Sequence, residues 1–491
     1  AAMATFWAGI VLVGRRAAFL GAALFGATLL LTSEAHISKT DGVLVFLTAG
    51  GAGALARLYV RGDQSKRMAL LFWAIVGASF LIKGPVTPMV LAYAGLGAWV
   101  WQKASTGTGG DWWRPLAGWP GPLIFVAMVL PWFIAIQLAT DGQYIQGAVG
   151  KDLKDKFAGA SEGHAGWPLY HLSHIPAWFF PATLFAVPAL VLVWRTLRGD
   201  TVQGRRRGTD ALLVALALGG LVALATWILP GELGNGAPSA YPAVLILGFW
   251  WLASQPGWFA RWPDTVAPDE DTRKLRFLAA WAVLTWAFFE LMCGWAAVKL
   301  SETNGLAVSR AMSGALFALG GGLLLLVSSP LAVKLVQEEA AGDFKTTEAR
   351  AVLASWQGFA GYPMWLWGLG AVAIVATLLM FWTKRYTAAI LCGVLASLLL
   401  GWHARMYFLP SQVWVQPTES AKIALREVCG LPAESCADGR RSPARILAIG
   451  YAEPSYVMTT GTQNLHPPET PVGLPHDDAA YPVVYLFNME D

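Results

Sequence analysis

The chain has 491 residues, of which 56% are hydrophobic and 13% carry a charged side chain. A soluble domain has roughly 25% charged residues, so this composition excludes a soluble globular protein and indicates an integral membrane protein. The net charge of +4 requires no nucleic-acid partner, because basic loops on one side of a membrane account for it.

Apolar runs of membrane-spanning length recur along the chain, and each is bounded by charged residues or by glycine and proline. A spanning helix needs roughly 20 apolar residues, so the runs predict an all-α polytopic bundle. No internal repeat of fixed period is visible, whereas many transporters have one. The predicted spans are residues 1–13, 17–32, 43–56, 68–82, 86–101, 116–139, 175–194, 211–230, 239–256, 277–298, 311–333, 360–383 and 386–402.

Lysine and arginine concentrate in alternate loops, which predicts the orientation of the bundle. Basic loops face the cytoplasm, and here they are residues 15–16, 57–67, 103–114, 195–207 and 261–276. The outer loops are then residues 33–42, 83–85, 140–174 and 231–238. All histidines lie outside or at that edge, which indicates a site on the outer face: His36, His164, His171, His174, His403, His466 and His476.

The polar tail, residues 406–491, is predicted to form a small α/β domain after the transmembrane domain of residues 1–405. A helix is predicted within residues 417–430, and the segments ARILAIGY and PVVYLFN predict buried strands. If the tail lies in an oxidising compartment, Cys429 and Cys436 could form a disulfide or remain free thiols, while Cys293 and Cys392 are predicted to be small buried hydrophobes. The opening AAMATFWAGIVLV leads us to expect further chain upstream of residue 1.

The segment TSEAHISKTDG, residues 32–42, places four ionisable side chains between two uncharged apolar runs. Carboxylates and a cation in one short outer loop suit the hydroxyls of a sugar or a phosphate. A solvated connecting loop is the alternative. The binding candidates in this segment are Glu34, His36, Lys39 and Asp41.

Lys83, in LIKGPVTP, ends one apolar run shortly before the next begins. A lysine at that depth is costly unless it reaches water or an anion, and Gly84 and Pro85 free backbone groups there. Lys83 is therefore either an interfacial lysine that extends into water or part of a site for an anion such as a lipid phosphate.

The longest outer loop, residues 140–174, has the tryptophan, tyrosine and proline typical of a short helix on the membrane surface, which could cap a cavity. In EGHAGWPLYHLSH, His171 and His174 would share a helix face, and Glu162 with His164 could complete a divalent metal site. The spacing fits no specific metal signature, so hydrogen bonds to a polar substrate or ordinary loop polarity are alternatives.

Two other features of the chain carry charge at unusual places. Lys151, Lys154 and Lys156 alternate with aspartates, which is typical of a solvated helix face, although one lysine could meet a phosphate. Glu290 lies well inside a predicted span. A carboxyl there indicates either a functional role or a hydrogen bond that faces the bundle.

Four segments together resemble one protein family. GRRAAFLGAALFGATLLLTSEAHISKTDGVLVF, FLIKGP, GKDLKDKFAGASEGHAGWPLYHL and GYAEPSYVMTTGT follow one another as in bacterial glycosyltransferases that use polyprenyl-phosphate sugars. This family contains the lipid A aminoarabinose transferase and the dolichyl-phosphate-mannose protein mannosyltransferases. The resemblance covers most of the chain, and EGHAGWPLYHL and YAEPS are its more specific pieces.

The resemblance implies a C-type membrane glycosyltransferase fold in the bacterial inner membrane, with the active site and the α/β domain in the periplasm. Such enzymes move a sugar from a lipid phosphate to a hydroxyl or phosphate of the acceptor, without a nucleotide sugar. The acceptor expected for this chain is a lipid or a surface glycan. In this interpretation Asp41 and Glu34 orient hydroxyls, Lys39 or Lys83 meets phosphate, and the loop with His171 lies opposite. His36, Lys156 and Tyr241 are further substrate-binding candidates, and Glu162 and His164 are the metal candidates.

Three departures from the family pattern stand out. The family's catalytic acidic residue and a lysine-proline motif fall upstream of residue 1, so the catalytic base is not named. ELGNGAPSAYP keeps Pro238 and Tyr241 but lacks the usual lysine, which suggests a divergent acceptor. The predicted spans with one missing helix would leave the tail cytoplasmic, so we expect a miscounted span at 311–333 or 386–402.

Two rival functions remain from the sequence. A secondary transporter would explain the many spans and Glu290, although the absent repeat and the one-sided polar loops oppose it. A non-catalytic membrane scaffold subunit is the other alternative.

Overall fold

The computed structural model describes residues 1–36, 40–61, 65–106, 110–145, 176–198, 270–303, 310–331, 364–408, 445–449, 465–466 and 483–487. Within these ranges, six helices are long and apolar enough to cross a membrane. The predicted polytopic helical membrane protein is therefore confirmed.

The described elements follow the predicted order of spans. The helices are α1 Ala2–Ala27, α2 Leu29–His36, α3 Asp41–Arg61, α4 Lys66–Lys83, α5 Val86–Thr106, α6 Arg114–Ala117, α7 Pro120–Ala139, α8 Gln143–Ile145, α9 Thr183–Arg198, α10 Glu270–Leu284, α11 Trp286–Thr303, α12 Arg310–Val327, α13 Met364–Trp382 and α14 Tyr386–His403. A π-helical turn, Ala404–Phe408, continues α14. The predicted spans at 211–230 and 239–256 lie outside the described residues.

The chain divides into two compact units. The first contains Ala1–Ala35, Lys39–Gly321 and Val372–Ser397. The second contains His36–Ser38, Gly322–Ala371 and Leu398–Asp491. The predicted division after residue 405 stays a prediction.

Helix α1 is a helical hairpin, because the chain reverses at Gly14. Gly14 has φ 78° and ψ 166°, a backbone conformation open essentially to glycine alone. A Cβ placed on Gly26 would lie 3.1 Å from the Cβ of Ala2, so the two halves run antiparallel. This reversal gives two separate helical segments where the spans at 1–13 and 17–32 were predicted, although the second ends at Ala27 and α2 follows it.

The predicted single span at 277–298 is wrong, because the helix breaks at Thr285 into α10 and α11. Trp281 stacks on Phe288 across the break, with ring centroids 5.0 Å apart. On the α10 side, Phe277 stacks on Tyr59 near the basic end of α3. The chain therefore turns back at Thr285. The segments where the miscount was expected, 311–333 and 386–402, contain unbroken helices as far as the structure describes them, α12 and α14.

Two hydrogen bonds align α14 with the second half of α1. Arg16 donates through Nη2 to the hydroxyl of Thr387 at 3.0 Å, and the hydroxyl of Ser397 donates to the carbonyl oxygen of Ala27 at 2.6 Å. These bonds join residues 16 and 27 to positions ten residues apart on α14. The two segments therefore run in parallel, away from the basic pair Arg15 and Arg16.

Small residues bring α1 and α11 into close contact. A Cβ on Gly294 would lie 2.5 Å from the backbone nitrogen of Gly21 and would also meet the carbonyl oxygen of Ala17. A Cβ on Gly21 would lie 2.6 Å from the Cα of Leu291. Such small residues allow helix backbones to approach in membrane proteins, so this contact fixes α11 against the hairpin.

The tail contains a three-stranded parallel sheet in the order β2-β1-β3. The strands are β1 Arg445–Ile449, β2 Leu465–His466 and β3 Val483–Phe487. Arg445 pairs with Val483 and Ile449 with Phe487. The strands predicted in ARILAIGY and PVVYLFN are thus confirmed, while the predicted helix at 417–430 and both tail cysteines lie outside the described residues.

Candidate functional site at the ends of α3 and α4

Two predicted site residues from different segments meet in an ion pair. Asp41 is the first residue of α3 and Lys83 is the last residue of α4. The Nζ of Lys83 donates to Oδ1 of Asp41. The side chains are 47% and 33% exposed respectively, so the pair is open to solvent or to a ligand.

The local sequence explains why both charges stand at helix ends. The carbonyl oxygen of Thr40 accepts from the amides of Val43 and Leu44. Thr40 is therefore the N-cap residue that precedes Asp41. A carboxylate in the first turn of a helix and an ammonium in the last turn are each favoured by the helix dipole. Asp41 and Lys83 occupy these two kinds of position.

The Gly84-Pro85 turn then reverses the chain. Gly84 has φ 62°, and its amide donates to the carbonyl oxygen of Phe80 at 2.8 Å. A glycine with positive φ is a common helix end, and α5 begins directly after Pro85. Lys83 therefore stands at the tip of a two-residue connection, where its side chain can reach across to α3.

A second polar contact lies below the ion pair. The hydroxyls of Thr48 and Thr87 are 3.0 Å apart, and the hydroxyl of Thr48 also donates to the carbonyl oxygen of Leu44 at 2.8 Å. Thr87 is buried. Because the proton of Thr48 is directed to Leu44, Thr87 is the donor between the two hydroxyls, and this bond ties α5 to α3.

The other residues predicted in the first outer segment lie in a helix instead of a loop. Glu34 is partly buried in α2, and His36 is the last residue of that helix. The reason is that LLLTSEAH contains no glycine or proline, so a helix restarts after the extended backbone of Thr28. The predicted connecting loop at 33–42 is therefore wrong for residues 33–36, which are helical.

All the remaining predicted ligands lie outside the described residues. These are Lys39, Lys156, Glu162, His164, His171 and Tyr241. No group of three potential metal ligands occurs within the described part of the chain. The residues of the predicted metal site lie outside the described ranges, so that site stays a prediction.

The long outer loop begins on the same side as Lys83. Helix α7 runs parallel to α4, because Trp73 contacts Phe125 and Phe80 contacts Phe133. Asp141 and the short helix α8 follow the end of α7. The start of the 140–174 loop and the ion pair thus lie at one end of the bundle, as predicted.

The sequence interpretation missed two features of this region. The pairing of Asp41 with Lys83 was not predicted, since residues 42 positions apart give no local signal of contact. The threonine bond was also missed. A signal existed for it, because Asp41 and Thr48 are seven residues apart and so share one face of α3.

Glu290 is fully buried in α11, as its place in an apolar run predicts. Neither carboxyl oxygen has a hydrogen-bond partner among the described residues. The alternative in which this side chain forms a hydrogen bond toward the bundle is therefore not seen in that part of the chain.

The fold and this site define a polytopic helical membrane protein with a pair of opposite charges at one end of its bundle. Neither a family model nor a curated protein matches the sequence. Two solved structures are similar, both of ArnT from Cupriavidus metallidurans. The structure bound to undecaprenyl phosphate has 15% identity and a TM-score of 0.48, and the similarity covers 95% of this chain and 69% of that one. The apo structure has 14% identity and a TM-score of 0.46, with 95% and 68% covered. At this level of likeness, membership of the family stays a prediction.

Proposed function

We propose that the protein is a glycosyltransferase that moves a sugar from a polyprenyl-phosphate carrier to a lipid or surface-glycan acceptor. The observation that carries this proposal is the exposed ion pair of Asp41 and Lys83 at one end of the bundle. It supplies a cation for phosphate and a carboxylate for sugar hydroxyls side by side.

The pair has bonding capacity left for both parts of such a donor. A lysine ammonium has three donor hydrogens and an ionised aspartate accepts through two oxygens. One hydrogen of Lys83 and one oxygen of Asp41 are used between them. The remaining hydrogens of Lys83 are available to phosphate oxygens, and the second oxygen of Asp41 can accept from a sugar hydroxyl.

The reaction needs a cation because charge develops on the leaving group. The bond between the anomeric carbon and the phosphate oxygen breaks, and its electron pair stays on the carrier phosphate. An acceptor oxygen forms the new bond to the anomeric carbon and loses its proton to a base. Lys83 would stabilise the developing phosphate charge, while Asp41 would hold the sugar for displacement.

The distribution of basic residues supports placing this end in the periplasm of a bacterial inner membrane. Arg15 and Arg16 lie at the tip of the α1 hairpin, and Arg16 bonds to Thr387 at the start of α14. Arg310 donates to the carbonyl oxygen of Trp382 at the same turn between α13 and α14. These residues lie opposite Lys83, and basic ends of membrane helices face the cytoplasm.

A divalent metal at Glu162 and His164 remains part of the proposal, with no step of the reaction assigned to it. The test is sugar transfer with and without a chelator, in wild type and in Glu162→Gln. Chelator-sensitive transfer that the variant lacks would support the site, and transfer that is unaffected by both changes would contradict it.

The function is tested by transfer of radiolabelled sugar from purified polyprenyl-phosphate sugars to membrane lipids. We expect Asp41→Asn and Lys83→Ala to lose transfer. Lys299→Ala is the matched control, because Lys299 forms an exposed ion pair with Glu302 at 2.9 Å on α11. Full transfer by folded Lys83→Ala would contradict the role of the pair. Absence of transfer by the wild type from every tested donor would favour the transporter or scaffold alternative.

A further inference from the structure

Among the acidic side chains whose burial the structure describes, Glu290 is the one that is fully buried. It is not part of the proposed site. The residue is fully buried, and both carboxyl oxygens lack a hydrogen-bond partner in the described ranges. Every other acidic side chain whose burial the structure describes is at least partly exposed. The geometry around this carboxyl therefore needs its own explanation.

The contact between α1 and α11 closes over this residue. A Cβ on Gly21 would lie 2.7 Å from the carbonyl oxygen of Glu290, so the backbone of α1 lies directly against that of Glu290. The neighbouring residues of α11 are also buried, among them Phe288, Leu291 and Met292. These described neighbours shield the carboxyl from solvent and give it no hydrogen bond.

No compensating charge faces Glu290 from the described parts of the helices that pack on α11. Those helices are α1, α9 and α10. Their arginines and lysines are Arg15, Arg16, Arg195, Arg198, Arg273, Lys274 and Arg276. Among those whose side chains the structure describes, none forms an ion pair with Glu290. The titratable neighbour is the thiol of Cys293, which is itself buried one turn along α11.

An ionised carboxylate buried without a partner is so unfavourable that such groups neutralise instead. We infer that Glu290 is a proton-binding site at the α1–α11 contact: its carboxyl holds a proton in the folded protein, and the ligand of the site is that proton. Ionisation requires α1 and α11 to separate until water or a cation reaches the oxygens. This inference is independent of the proposed transfer reaction.

Infrared spectroscopy tests the proton directly. A protonated carboxyl has a C=O stretch above the amide I band, and an ionised carboxylate has none there. We expect this band in the purified protein at neutral pH, a shift of it on 13C-glutamate labelling, and its loss in Glu290→Gln. Glu302→Gln is the matched control, because Glu302 is an exposed carboxylate on the same helix and the band should persist.

Three results would overturn the inference: absence of the band in wild type, no response to 13C-glutamate, or an unchanged band in Glu290→Gln. If the glutamine variant fails to fold, the labelled wild type is titrated instead. The labelled band must then persist to a pH at which exposed carboxylates are ionised, and its loss near about pH 4 would contradict the inference.

Discussion

The guanidinium of Arg57 lies 3.5 Å above the centre of the Trp7 ring. The same side chain donates to the carbonyl oxygen of Trp7 at 2.7 Å and to that of Gly53 at 2.9 Å. A Cβ on Gly53 would lie 2.6 Å from that ring. One arginine thus contacts its own helix at Gly53 and joins α3 to the first half of α1 at Trp7.

Arg57→Lys is expected to destabilise the protein, although it keeps the charge. A lysine ammonium lacks the planar fork that serves two carbonyl oxygens and a ring at once. We expect a loss of about 1–3 kcal/mol, measured by thermal unfolding in detergent. Arg67→Ala, at an exposed position of α4, should leave the transition unchanged. Equal transitions for wild type and Arg57→Lys would show that the arginine contacts do not stabilise the fold.

Gly14→Ala is expected to disrupt the α1 hairpin. The φ of 78° and ψ of 166° at this residue are strained for a residue with a Cβ, at a cost of about 1–3 kcal/mol. Gly322→Ala is the control, since that glycine is helical and nothing lies within 4 Å of its Cβ position. The measurement is the unfolding midpoint of each variant. A larger loss in the control than in Gly14→Ala would contradict the assigned geometry.

Gly294→Ala should separate α11 from α1. The added methyl group would meet the backbone of Ala17 and Gly21, and backbone atoms cannot move aside as a flexible side chain can. Overpacking of this kind costs roughly 1–3 kcal/mol. Gly368→Ala offers a comparison, because its Cβ position is open in α13. The measurement is the unfolding midpoint of the two variants in detergent. Identical midpoints would contradict the close contact of α1 with α11.

The pair of Asp41 and Lys83 should contribute little to stability. Exposed ion pairs measured by double-mutant cycles contribute about 0.2–1 kcal/mol, and both side chains are substantially exposed. We expect Asp41→Asn, Lys83→Ala and the double variant to unfold close to wild type. A coupling energy well above about 1 kcal/mol would mean that lost transfer reports unfolding as well as lost binding.

The reversal at Thr285 predicts which side of the membrane this residue faces. In a variant without native cysteines, Thr285→Cys and Thr40→Cys should react with an impermeant maleimide from the same side. Thr303→Cys, at the other end of α11, should react from the opposite side. Labelling of positions 285 and 303 from one side would contradict the hairpin.

Hydrophobic runs and charged ends predicted most of the helices, because both signals are local. The α1 hairpin could be predicted for the same reason, since Gly14, Arg15 and Arg16 interrupt an apolar run. The break at Thr285 could not. Threonine between valine, leucine and tryptophan gives no turn signal, and the reversal depends on packing such as the stack of Trp281 on Phe288.

The candidate site shows the same division between local and distant information. Asp41 and Lys83 could be selected individually, because each is an ionisable residue beside an apolar run. Their pairing depends on the packing of α3 against α4, which no spacing in the sequence specifies. The threonine bond lies between these two cases, since the position of Thr48 relative to Asp41 follows from helix periodicity.

The length of α7 indicates where the two surfaces of the bilayer lie along the protein. Its 20 residues correspond to a length of about 30 Å, which equals the hydrocarbon thickness of a typical bilayer, roughly 30 Å. Trp119, 74% exposed, precedes it at one boundary, as tryptophans at membrane interfaces do. The other boundary lies at Ala139, where α7 ends.

Lys83 can be placed on this scale through the contact of Phe80 with Phe133. Phe80 contacts Phe125 as well as Phe133, so it lies level with the stretch of α7 between them. Lys83 follows Phe80 by three residues, which puts it level with about Trp132 and roughly 10 Å inside the end of α7. The ammonium therefore reaches the headgroup level by extending along its alkyl stem. Under the proposed function, the carrier phosphate would meet this ammonium at the headgroup level, with its lipid tail in the hydrocarbon layer.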